Sequence, residues 1–287
     1  MRLGGVDEWF GGWNKITDEV ARKIVALGFT GMGLHYHGDP LEQSLDDALR
    51  TKAILDAHGI EIVQFWGSYP CIICPDEDDR REGVRIGRNI VRRAAELGSL
   101  VASIRPTSLH PTSQWGPHPL NYAPETEDRL VRSLSEIAEA CETYQMPIAL
   151  EVHVTTTLRD AETIRRLIER TGSSWIRVNA DLVNFIPDFK TAYDTTTMIN
   201  HVFDVLGPYI ITAHLKDVVV DEPLVVHISE ARPGTGLLDW DTLFRRFEAL
   251  LPDGYALIEH LTDYQDVMLA RDFVVGKLNA LNIPIRQ

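Results

Sequence analysis

Apolar and polar positions along the 287-residue chain follow two alternating periods. Short apolar runs, read as strands, are each followed by a longer stretch whose apolar residues recur every three or four positions, read as a helix. The predicted strands are Leu3–Val6, Gly31–His35, Glu61–Trp66, Leu100–Arg105, Ile148–Val152, Trp175–Asp181, Tyr209–Leu215 and Tyr255–Glu259. The predicted helices are Thr17–Leu27, Ser44–His58, Arg80–Leu97, Thr126–Tyr144, Asp160–Arg170, Thr195–Leu206, Trp240–Leu251 and Asp263–Leu278. Punctuation supports these bounds. Gly98 fits the position after a helix end, and Pro147 can open a strand but not sit inside one.

Eight strand–helix units imply parallel strands joined by right-handed crossovers. Eight of them in 287 residues, roughly 36 residues each, imply a closed (β/α)8 TIM barrel. No composition break or Gly/Ser linker divides residues 1–287, so the expectation is a single domain. The structural alternative is a doubly wound sheet, but no G-x-G-x-x-G follows the first strand.

A barrel builds its site where the strands end. The predicted ends carry His35 and His37, Gln64 and Trp66, Arg105, Glu151 and His153, Asn179 and Asp181, His214 and Lys216, and Glu259 with His260. Side chains alternate along a strand, so Glu151 and His153 share the face opposite Ile148, Leu150 and Val152 and point into the barrel mouth. The same rule pairs His35 with His37, Gln64 with Trp66, and His214 with Lys216. Of ten histidines, only His58 and His201 fall away from a strand end or the loop after one.

Glu151, Asp181, His214 and Glu259 close the last four strands. Three carboxylates and an imidazole on one rim would repel and raise one another's pKa unless a cation joined them. Oxygen ligands with one nitrogen suit a divalent metal, with Mn²⁺ the first choice and Mg²⁺, Co²⁺ or Zn²⁺ as alternatives. Four protein ligands on a six-coordinate ion leave two positions for neighbouring carbonyl and hydroxyl oxygens of a sugar.

Five segments, in order, resemble the xylose isomerase-like barrels, the sugar phosphate isomerase/epimerase group: Ile148–His153, Val178–Asn184, Thr212–Asp217, the Pro-Gly-Thr-Gly-Leu-Leu-Asp-Trp run at 233–240, and Leu257–His260. The resemblance spans the chain and implies a metal held by Glu151, Asp181, His214 and Glu259. It implies sugar chemistry through an enediolate, with Glu151, Glu259 and an additional acid/base, His153, as catalytic candidates. Ketose 3-epimerases of the group carry three further substrate residues, whose positions here hold Thr157, Asn184 and Val220, so that pattern is absent. Inosose dehydratases and the catalytic subunits of C-glycoside deglycosidases use a comparable site for elimination. The expectation is therefore a carbohydrate lyase acting on a keto-sugar or 3-oxo-glycoside. Aldose–ketose isomerase or ketose epimerase chemistry is one alternative, and a non-catalytic or partner-dependent sugar-binding subunit is another. Expected substrate contacts are His35, His37, Trp66, Arg105, Asn184, Lys216 and His227, with Arg105 also placed to neutralise Glu151 and Lys216 to pair near Asp217; Glu230, in the same loop as His227, either reaches the substrate or sits in an exposed loop. Trp66, Tyr69 and the Trp115–Tyr122 loop are expected to wall a bulky substrate.

Composition narrows the remaining classes. The chain has 28 basic and 42 acidic residues, a formal net charge of −14. That argues against a nucleic-acid partner, including the abasic-DNA endonucleases that share the fold. No apolar run reaches the roughly 18 residues of a membrane span, and the N-terminus lacks a secretory apolar core. Three cysteines make no disulfide framework, which fits a cytoplasmic protein. Cys71 and Cys74 form a CxxC without partner ligands, and Gly234-Thr-Gly236 reads as a turn rather than a phosphate cradle. The expected partners are a small-molecule sugar or glycoside and further subunits, either copies of the chain or a second smaller chain.

Overall fold

The N-terminal end of each helix shows why the elements fall where they do. In the computed structural model, which describes residues 1–222, 225 and 227–287, an Asp, Ser or Thr caps all but one of the main helices through its side chain. Thr17 caps α1 (Asp18–Ala26), Ser44 caps α2 (Leu45–Ala57), and Asp76 caps α3 (Glu77–Glu96). The exception, α4 (Pro124–Tyr144), opens on a proline. Asp160 caps α5 (Ala161–Thr171), and Asp188 caps a short α6 (Phe189–Tyr193). Asp194, Asp239 and Asp263 then cap α7 (Thr195–Leu206), α8 (Trp240–Leu250) and α9 (Tyr264–Ala280). Gly98 and Gly172 end α3 and α5 with φ of 64° and 67°, a backbone that favours glycine.

Between the helices lie β1 (Arg2–Val6), β2 (Gly31–His35), β3 (Glu61–Trp66), β4 (Val101–Ile104), β5 (Ile148–Leu150), β6 (Ile176–Asp181), β7 (Ile210–Leu215), β8 (Asp217–Val220), β9 (Ile228–Ala231) and β10 (Tyr255–Ile258). Eight of them close a parallel barrel in the order β1-β10-β7-β6-β5-β4-β3-β2. The chain is a single-domain (β/α)8 barrel, as the alternation of periods implies. The strand after β7 was not foreseen: β8 and β9 form an antiparallel hairpin beside the barrel mouth, where a plain loop was expected. The fifth and eighth barrel strands also stop earlier than expected, so Glu151 and Glu259 sit one residue beyond β5 and β10.

The barrel interior changes character from bottom to top. Its floor is apolar, with Val63, Tyr255 and Leu257 packed together. Gly31 and Gly33 leave room there, because a Cβ at Gly31 would meet Tyr255 and one at Gly33 would meet Trp66. One level up the filling turns polar. Gln64 Nε2 donates to Asn179 Oδ1 (3.0 Å) and Thr212 Oγ1 (2.9 Å), and the Thr212 hydroxyl donates to Asn179 Oδ1 (2.8 Å). This hydrogen-bonded layer, in which only Asn179 Nδ2 lacks a partner among the described residues, carries the strand ends above it. No helix among the described residues is long and apolar enough to cross a membrane.

Candidate metal centre

The polar layer fixes the ring above it. Gln64 spends both amide contacts below, which turns its Oε1 upward to accept from His214 Nε2 at 2.8 Å. His214 therefore presents Nδ1 to the barrel mouth, 2.7 Å from Glu259 Oε1 and 3.5 Å from Asp181 Oδ2. Asp181 is held from one side, where Asn184 Nδ2 donates to Oδ2 at 2.9 Å. Together with Glu151, these groups place one ligand atom each within 4.8 Å of one another. Asp181 Oδ1 is buried without a hydrogen-bond partner, while His214 Nδ1 and Glu259 Oε1 face each other and Glu259 Oε1 also lies 2.8 Å from Lys216 Nζ. Buried polar atoms left this way are costly unless something else binds them. The donor set fits a divalent cation.

Lys216 occupies the same group. Its Nζ lies 2.7 Å from Asp181 Oδ2, 2.8 Å from Glu259 Oε1 and 3.0 Å from Glu230 Oε1. Glu230 comes from β9 and also meets His260 Nδ1 at 2.9 Å. His260 has φ of 56°, a left-handed turn directly after Glu259. The charges split the two glutamates. Burial raises the Glu151 pKa and the charge of Glu259 raises it further. Burial works against Glu259 as well, but His214 and Lys216 outweigh it and hold Glu259 well below the usual carboxylate range. Burial alone would depress His214, yet Glu259 and Asp181 carry it up to about 10.

A cavity of about 390 Å³ opens over this centre. Its wall includes Glu151, His214 and Glu259, and also His153, His35, Trp66, Arg105, Asn184 and Lys216 from the expected set. His153 lies against Trp115, ring centroids 5.8 Å apart. The Thr155 backbone N–H donates to His153 Nδ1 at 3.2 Å, and the Thr155 hydroxyl, 2.7 Å from the same ring nitrogen, lies 2.7 Å from the Trp115 carbonyl. These contacts fix the ring through Nδ1 on the cavity wall, and burial lowers its pKa, which favours the neutral ring. His35 rests on Glu8 through Nδ1 at 3.3 Å, while its Nε2 is buried without a partner on the cavity wall.

Several expected contacts fall elsewhere. His37 and His227 are exposed and lie outside the cavity wall among the described residues. Arg105 reaches the cavity but makes no ion pair with Glu151 among the described residues; it donates to the Gly67 carbonyl at 3.1 Å. Tyr69 is buried behind the wall, its hydroxyl on the Arg105 backbone at 2.5 Å. Lys216 pairs with the metal-ligand candidates rather than near Asp217, which instead caps the following loop. Asp217 Oδ2 accepts from Gly234 N (2.9 Å), Gly236 N (3.0 Å) and Trp240 Nε1 (3.1 Å), so the Gly-Thr-Gly run is a turn with its amides taken. Cys71 and Cys74 are free, and burial pushes Cys74 up to about 12, far from a metal-binding thiolate. Glu230, placed with His227 in the loop after strand seven, does line the cavity, whereas Glu8 and the positioning role of Gln64 are not foreseen. Of these last two, only Gln64 left a trace in the sequence, as an inward polar residue two before Trp66.

Residues 21–272 match the model of the xylose isomerase-like TIM barrel family. An inosose dehydratase from Geobacillus kaustophilus (strain HTA426) is 24% identical over 286 positions, covering 91% of this chain and 84% of that protein. The crystal structure of 3-keto-D-glucoside 4-epimerase from E. coli is similar in fold, with TM-score 0.70, 18% identity and coverage of 97% of this chain and 99% of that one. A xylose isomerase-like TIM barrel protein from Mycobacterium smegmatis, solved in complex with magnesium, has TM-score 0.71 and 15% identity, covering 98% of this chain and 97% of that one.

Proposed function

The chain belongs to the xylose isomerase-like TIM barrel family, and from that premise we propose that it is a divalent-metal-dependent carbohydrate lyase. Its substrate is a keto-sugar or 3-oxo-glycoside from which it removes the proton α to the carbonyl and then expels a β-substituent. The observation that carries this is the cluster of Glu151, Asp181, His214 and Glu259, whose ligand atoms lie within 4.8 Å of one another while Asp181 Oδ1 is buried without a hydrogen bond.

The bound metal, with Mn²⁺ the first choice, supplies Lewis-acid chemistry: it polarises the keto oxygen and balances the negative charge that grows there when the α-proton leaves. The protein's own groups do the rest. Glu151, Asp181, His214 and Glu259 hold the ion, and Gln64 keeps His214 turned toward it. His153, a buried imidazole on the cavity wall that burial keeps toward its neutral form, takes the α-proton. The electron pair released from that C–H bond forms a carbon–carbon double bond as the β-substituent leaves with its own bonding pair. Protonated His153 returns a proton to the departing group. His35, Asn184, Arg105 and Lys216 bind sugar oxygens at the wall, and Trp66 and Trp115 offer flat faces to the sugar ring or an aromatic aglycone.

A second reading, isomerisation or epimerisation through the same first step, is favoured by the fold shared with a 3-keto-D-glucoside 4-epimerase. Against the ketose 3-epimerase form of it stand Thr157, Asn184 and Val220. Thr157 is fully buried, Val220 is an apolar residue of β8, and Asn184, which donates through Nδ2 to Asp181, offers a sugar an amide rather than an imidazole, so the set of three is not rebuilt. Incubation of the Mn²⁺-loaded protein with 3-oxo-glycosides, inososes and free ketoses in D2O separates the readings. Release of aglycone or water supports the lyase. A deuterated isomer without loss of a substituent supports the second reading, and neither product nor solvent exchange removes both.

A further inference from the structure

Lys216 is 3% exposed, and three carboxylates lie within 3.0 Å of its ammonium. Two of these belong to Asp181 and Glu259, both assigned above to the metal. The third belongs to Glu230, on the hairpin strand β9, outside the barrel. An ammonium this close to two metal ligands and a divalent cation held by the same ligands are like charges a few ångströms apart, with little water between them. Removing the ammonium without the cation would equally leave buried carboxylates uncompensated. Only one partner of Lys216 lies off the metal. Glu230 is half exposed and anchored by His260, so it can keep the ammonium when Asp181 and Glu259 turn to a cation.

We infer that Lys216 is the built-in counter-ion of the metal centre: it holds Asp181 and Glu259 together in the metal-free protein, yields to Glu230 when a divalent cation enters, and so sets how tightly the cation binds. The inference rests on the metal reading and extends it to a residue that is not a ligand. It makes Lys216 and Glu230 an opposed pair. Loss of the ammonium strengthens cation binding, whereas loss of the Glu230 charge commits the ammonium to the ligands and weakens it.

The experiment is calorimetric titration of Mn²⁺ into the full chain as wild type, Lys216→Met, Glu230→Gln and the double variant, with circular dichroism verifying the fold of each. Lys216→Met should tighten the Mn²⁺ Kd by about tenfold or more, and Glu230→Gln should weaken it by about threefold or more. In the Lys216→Met background the Glu230→Gln effect should shrink below about twofold, because a charge acting through Lys216 has nothing left to act on. If wild type binds no Mn²⁺, the metal reading falls and this inference falls with it. If wild type binds and Lys216→Met binds equally or less tightly, the metal reading stands and the role of Lys216 is overturned. Should Lys216→Met not fold, an unchanged Kd in Glu230→Gln overturns it as well.

Discussion

His214 shows how a single side chain's aim depends on a residue that never meets the reacting atoms. Gln64 accepts its Nε2 proton, and Asn179 and Thr212 fix Gln64 in turn. Gln64→Leu should weaken Mn²⁺ binding about 10- to 100-fold, the usual cost of losing such a support, while calorimetry on Asn200→Ala, far from the centre, should show no change. His153→Ala should lower turnover by about 10² to 10⁴ and leave the Mn²⁺ Kd within about twofold; an unaltered rate would remove His153 from the chemistry. Asp7 gives a test at the same scale that is independent of the metal. Burial raises its carboxyl to about 7, against the pull of the His35 backbone amide. A carboxyl raised on folding binds its proton more tightly in the folded state, so its cost is absent below about pH 4, grows as pH rises, and is complete above about 7. Asp7→Asn should flatten that fall, worth about 2 to 3 kcal/mol between pH 5 and pH 8, in urea-unfolding free energies compared at those two pH values. The four ligand candidates were legible because period-two alternation and strand-end position both mark them. Glu230 was legible only as a loop residue able to reach the site, and Glu8 not at all, since their approach to Lys216 and His35 depends on contacts that no local pattern encodes.

Elements were legible wherever a period ran long enough to show. The eight barrel strands and eight of the nine helices follow from it, with displacements of physical origin. Thr17, Ser44, Asp160 and Asp263 were read as first helical residues, whereas they are caps whose side chains accept from the first turn. The start of α3 was placed late because its acidic first turn, Glu77–Asp79, has no apolar marker. The β8–β9 hairpin stayed hidden for another reason: β8 begins two residues after β7, and past Lys216 and Asp217 its three valines are too short a run to mark a strand of their own. Asp217 makes that junction. It is fully buried and accepts the amides of Gly234, Gly236 and Leu238 and the indole of Trp240, tying the end of β7 to the start of α8. Asp217→Asn would turn an amide NH2 or a weaker acceptor toward those donors. The expected cost is about 3 kcal/mol of unfolding free energy in urea, with the loop's amides gaining hydrogen exchange; a change below about 0.5 kcal/mol would remove Asp217 as the anchor.

For the molecule as a whole, barrel closure turns scattered positions into one centre. The ligand candidates are spread over 109 residues, from Glu151 to Glu259, and they meet because β5, β6, β7 and β10 are consecutive around the barrel. The two chain ends meet at the opposite end: the Met1 amino group pairs with Glu248 at 2.7 Å, and Arg286 pairs with the same carboxylate at 2.7 Å. The number of subunits was not legible, because association depends on surface shape rather than on the periods that encode a core. The central claim is that Glu151, Asp181, His214 and Glu259 bind a single divalent cation. Its most direct test is an anomalous difference map from crystals grown with Mn²⁺. The account predicts one strong peak within bonding distance of all four side chains. Density that lacks a peak there, with the four groups turned to other partners, would contradict it.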